Sequence, residues 1–93
     1  MKGSDEQSYE EVIQKLRAYT SKVFEAQSAM YKAGQDCVDN TDEDPAAVRS
    51  NGNLQKAIGN ISNSVMTINQ IIAALNQELE QIRAAAAKAN SAE

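Results

Sequence analysis

The stretch SNGNLQKAIGNI, residues 50–61, decides how this chain folds. From Leu54 onward, Leu54, Ile61, Ile68, Leu75 and Ile82 recur every seven residues, and Ile58, Val65, Ile72, Leu79 and Ala86 follow each by four. An apolar repeat of 3.5 residues kept over about five heptads belongs to a helix that winds around a neighbour with a left-handed twist, because a straight helix drifts off such a seam. Just before this stripe stands Asn51-Gly52. Gly inside a helix costs about 1 kcal/mol relative to Ala and tolerates positive φ. The expectation is therefore a short helical turn over 45–50, a turn at Ser50, Asn51 and Gly52, Asn53 as the new cap, and a second helix over 53–86. The alternative is a helix unbroken from Pro45, since Ala47 and Asn51 keep the heptad register backwards from Leu54.

The first half carries its own stripe. Tyr9, Leu16, Val23, Met30 and Cys37 lie seven apart, and Val12, Tyr19, Ala26 and Ala33 fill companion positions three residues later. Ser8 followed by Glu11 reads as a capping box, which sets the first helix at 8–38 and leaves Gly3 and Ser4 to fray. DNTDED, residues 39–44, piles acid where the helix dipole is negative, so the helix should stop there. Asp44-Pro45 reads as N-cap plus first-turn proline. An acidic linker and turn then occupy 39–52. The tail, 87–93, keeps helix propensity but loses large apolar side chains and should fray. The fold class is all-α: one domain, 1–93, built as an antiparallel two-helix hairpin (a helix-turn-helix coiled coil) able to complete a four-helix bundle with a partner.

Composition excludes several kinds of function. The chain of 93 residues has a formal charge of −4 and scattered Lys and Arg, which argues against nucleic acid and anionic lipid. It contains no His, and Cys37 is its one cysteine. An internal disulfide, a thiolate zinc cage and a Cys–His nucleophile are thereby ruled out, and Cys37 on the apolar stripe is expected to be a small buried side chain. The acidic run fails the EF-hand spacing, because the sixth and twelfth places counted from Asp39 hold Asp44 and Ser50 instead of Gly and Glu. No catalytic residue, cofactor or metal is expected. No apolar h-region opens the chain and no run of about 18 apolar residues crosses it. A soluble, cytoplasmic protein follows, one whose export would use no cleavable signal peptide.

Apolar surface is left over. Phe24, Tyr31 and Val38 also lie seven apart, one position beyond the expected core, and Ala57 and Ile71 flank the second stripe. Two helices packed only on each other bury one stripe apiece, so Phe24, Tyr31, Val38 and Ile71 are the candidate contact residues for another helical protein or a second copy of the chain. Ala26, Ala29, Ala33 and Gly34 are small enough to let a helix approach closely.

An acidic, leaderless chain of this length, read as two helices with Gly at the central turn, resembles the small W-x-G helical-hairpin proteins of type VII secretion systems. The matching triplet is Ser50-Asn51-Gly52, followed by Leu54, Ile58 and Ile61; Ser replaces the Trp, and no Tyr follows Tyr31 to form the family's C-terminal Tyr-x-x-x-Asp/Glu signal. The resemblance implies a non-enzymatic targeting or stabilising subunit that pairs with another hairpin or with the helical N-terminal region of a larger secreted toxin. DEDPAAV, residues 42–48, also resembles the Asp/Asn-Pro turn of type III secretion needle subunits, which are short leaderless hairpins with a long second helix. Against that stands the Ala-rich tail beyond the stripe. A coiled-coil adaptor or secretion chaperone is the third reading.

Overall fold

The computed structural model describes residues 2–91, with side chains described from 5 to 90. It is an all-α antiparallel helical hairpin. Helix α1 spans Lys2–Asn40 and helix α2 spans Pro45–Ser91.

The connection between them is short because both helix ends are finished by the residues in it. The Thr41 N–H donates to the Cys37 carbonyl at 3.2 Å, and its hydroxyl lies 2.7 Å from that oxygen and 3.2 Å from the Val38 carbonyl. The Glu43 N–H reaches the Val38 carbonyl at 2.9 Å. This is the 6→1 bond of a Schellman-type end, which takes up carbonyls that a helix terminus leaves orphaned. To make it, Asp42 and Glu43 adopt φ of 51° and 60°. The left-handed region is costly without glycine, about 1–2 kcal/mol per residue. Asp44 then starts α2: its Oδ2 accepts the N–H of Ala46 at 3.1 Å and of Ala47 at 3.4 Å, and its carbonyl accepts Val48 N–H at 2.9 Å. Asp44 is the N-cap and Pro45 the first helical residue, as the sequence indicates.

Three expected boundaries are corrected. α1 begins at Lys2, so Ser8 and Glu11 lie in its interior and Gly3 and Ser4 are helical. The Glu11 side chain accepts from Gln7 Nε2 one turn earlier, at 3.4 Å, an (i, i+4) pairing of the kind that supports a helix. α2 begins at Pro45 and passes through Ser50, Asn51 and Gly52, which form no turn and carry no positive φ. A break there would have created two more helix ends, each with four unpaired backbone groups, and that outweighs the roughly 1 kcal/mol cost of one glycine. The tail stays helical through Ser91, with Lys88 in the last turn where positive charge suits the dipole; residues 92 and 93 lie outside the described residues.

Two compact units divide the hairpin: the described residues of 1–19 and 67–93, and residues 20–66. In the first, Ile13, Ile72 and Leu79 are buried to 4–7% exposure, and Tyr9, Leu16, Ile68 and Leu75 pack against them. At its polar edge the Arg83 Nε donates to Glu6 at 2.6 Å and its Nη2 to Glu10. The Glu6 hydrogen bond foremost, against some desolvation, raises the pKa of Arg83. In the second unit Val38 and Ala47 are buried, and Gln27 Nε2 bridges the helices by donating to the Ile58 carbonyl at 3.0 Å and to Ser62 Oγ at 2.9 Å.

Gly34 makes a close approach to α2 in that second unit and is buried. A Cβ built there would collide with Asn51 Oδ1 and come within 2.9 Å of Leu54 Cδ2, whereas one at Gly52 or Gly59 meets nothing within 4 Å. The three glycines therefore respond oppositely to alanine. Gly52→Ala and Gly59→Ala are expected to stabilise by about 0.5–1 kcal/mol in urea unfolding, and Gly34→Ala to destabilise by about 1–3 kcal/mol through overpacking. A stabilised Gly34→Ala would contradict the close packing.

Candidate functional site: an uncovered helix face

The inward side of α2 is as its sequence indicates. Leu54, Ile58, Ile61, Val65, Ile68, Ile72, Leu75, Leu79, Ile82 and Ala86 are all buried or half-buried. Ala47 and Asn51 continue the same series toward Asp44. On α1 the inward series is Tyr9, Ile13, Leu16, Thr20, Val23, Gln27, Met30, Gly34 and Val38. The companions of Tyr9, Leu16, Val23 and Met30 therefore lie four residues later, and Val12, Tyr19, Ala26 and Ala33 are exposed. Polar or minimal residues at three of these companion positions, Thr20, Gln27 and Gly34, hid the true stripe.

This changes two expectations near the turn. From Met30 the series steps four and four, to Gly34 and Val38, where a strict heptad would return to Cys37. Such a four-residue insertion locally unwinds a heptad and moves the seam by one position. Val38, expected on the contact stripe, is buried at 9% exposure. Cys37, expected in the core, is exposed. A maleimide should therefore label Cys37 in the native protein within a few-fold of its rate in denaturant; strong native protection would put the thiol back inside.

Phe24 and Tyr31 stay where the sequence puts them. They lie seven residues apart, hence on one side of α1, and are 69% and 55% exposed. The residues three or four positions from them on the outward side, Ser21, Ser28 and Gln35, are uncharged and exposed. The facing stretch of α2 is equally poor in charge, since Lys56 is the one ionisable side chain between Ser50 and Met66. The face is aromatic, flanked by two hydroxyls and an amide, with Glu25 and Lys32 exposed at its border. Ile71, the fourth candidate, belongs to the other unit and is 47% exposed beside the core residue Ile72. Met66 and Val48 are further exposed apolar side chains in the second unit that the heptad reading did not single out.

Two open grooves lie away from Phe24 and Tyr31, one in the first unit lined by Tyr9, Val12 and Leu75, another in the second lined by Gly34, Cys37, Ala47 and Leu54. Among the described residues no helix is long and apolar enough to cross a membrane. Compared with protein-family models, curated proteins and solved structures, the chain matches none.

Proposed function

We propose that this chain is a non-enzymatic interaction protein that lends a helix face to another helical protein and completes a helix bundle with it. The observation that carries the reading is the exposure of Phe24 and Tyr31 on one side of α1, in a hairpin with no large side chain below 2% exposure among the described residues. Burying such a pair against a partner helix is worth about 1.5–3 kcal/mol per side chain. On the type VII resemblance, the protein is a small substrate or a targeting partner carried with a larger effector, and the partner is a second hairpin or the helical N-terminal region of a toxin.

A second reading draws on a different observation. α2 enters through the Asp44 cap and Pro45 and runs unbroken to Ser91, and the type III needle resemblance implies an Asp-Pro turn followed by a long second helix. The triplet Ser50-Asn51-Gly52, on which the type VII resemblance drew, lies within that helix. On this reading the exposed faces serve polymerisation.

Co-purification from the native cell separates the two. With Phe24→Glu plus Tyr31→Glu, a micromolar complex held by about 8 kcal/mol should lose about 100-fold or more in affinity while helicity is retained. Ile72→Asp, in the core, should lose helicity instead. A partner that stays bound to the folded double variant removes Phe24 and Tyr31 from the contact. Open-ended filaments with no partner favour the needle-like reading.

A further inference from the structure

We propose that the turn-side unit of the hairpin, residues 20–66, opens by itself while the other unit stays paired, so that the fold contains a partly open state. The inference concerns the hairpin alone and does not depend on the contact-face reading, although the unit that opens is the one that carries Phe24 and Tyr31.

Three observations, taken unit by unit, point to this order. The first is the seam. The first unit is closed by the apolar cluster around Ile13, Ile72 and Leu79, with the Arg83 ion pairs at its edge. In the second unit Thr20, Gln27, Gly34 and Asn51 take inward positions, so less apolar surface leaves water for each turn of helix. The second observation is the backbone. Three of the chain's four glycines, Gly34, Gly52 and Gly59, are helical residues of this unit. Packing does not call for Gly52 or Gly59, since a Cβ at either meets nothing within 4 Å, and opening releases the conformational freedom they give up in a helix. Asp42 and Glu43, in the same unit, are released from their left-handed conformations. The third is Asn51 Oδ1, which is buried without a donor and recovers its hydrogen bonds from water once the helices part.

Loop closure favours the opposite order. Holding the first unit together across an open 20–66 costs about 40-fold more than closing the turn alone. The backbone terms outweigh it, because a helical glycine is worth about 2- to 5-fold and a left-handed residue other than glycine about 5- to 30-fold, and these factors multiply before Asn51 and the thinner seam are added. Opening exposes Val38, Leu54, Ile58 and Ile61, which enlarges the apolar surface of the unit that already presents Phe24 and Tyr31.

Native-state amide hydrogen exchange of the full chain tests the proposal. With intrinsic rates divided out, the amides of Gln27, Met30, Ile58 and Ile61 are expected to be at least about 10-fold less protected than those of Ile13, Ile72 and Leu79. The sharper arm is Ile72→Val, which trims the core of the first unit without emptying it. It should lower the protection of Ile13 and Leu79 by about 3- to 10-fold and leave that of Gln27, Met30, Ile58 and Ile61 unchanged, because the native and partly open states both keep the first unit folded and are weakened alike. Equal protection in the two units, or an Ile72→Val effect that reaches both, would overturn the proposal by showing that the hairpin opens only as a whole. A less protected first unit would overturn it by reversing the order.

Discussion

The carboxylate of Asp44 accepts the N–H groups of Ala46 and Ala47, and from that anchor α2 runs without interruption to Ser91. The rest of the structure depends on that continuity. Because no turn intervenes at Gly52, Ala47, Asn51 and Leu54 fall on the same inward side as Ile58 and Ile61, and the ends of the Asn51 and Leu54 side chains lie so close to Gly34 that a larger residue there would have to displace them. The tight fit has a cost as well. Asn51 Oδ1 is buried without a hydrogen-bond donor, a defect of about 1–3 kcal/mol that the surrounding packing must outweigh. On the other side of the cap, Asp42 and Glu43 hold left-handed conformations without glycine, so the turn accepts backbone strain to join two helices through few residues.

The two helices were unequally legible in the sequence. α2 could be read from Leu54 to Ala86 because large aliphatic side chains occupy nearly every inward position, and nothing else produces a gapless 3.5-residue repeat. At its start the local glycine penalty favours a break, and the larger cost of two new helix ends favours the alternative unbroken from Pro45, which is the one the structure has. On α1 only half the stripe was visible. Gln27 turns inward because the Ile58 carbonyl and Ser62 hydroxyl satisfy its amide, and no hydrophobicity pattern announces a polar residue whose partners lie on another helix. Gly34 is inward because it has no side chain. With those positions hidden, apolar Val12 and Tyr19 took their places in the pattern, and the shift that buries Val38 and exposes Cys37 could not be seen.

The candidate face was legible in part, for a reason that follows from hairpin geometry. A pair of helices has one seam, so any second apolar stripe must face outward, and Phe24 and Tyr31 were identifiable as such from spacing alone. What covers them is not written in either helix. Binding partners are set by complementarity between surfaces, and a neutral aromatic face flanked by Ser and Gln carries little that singles out one foreign surface from another.

The central claim is that α2 is one helix held by the Asp44 cap, and amide hydrogen exchange of Ser50, Asn51, Gly52 and Asn53 tests it most directly. These four N–H groups should exchange with protection comparable to that of Ile58 and Ile61, and far more slowly than the amide of Asp42 in the turn. Rapid exchange at Gly52 and Asn53, matching that of the turn, would mean that the helix breaks there, and the packing of Asn51 and Leu54 against Gly34 would fall with it.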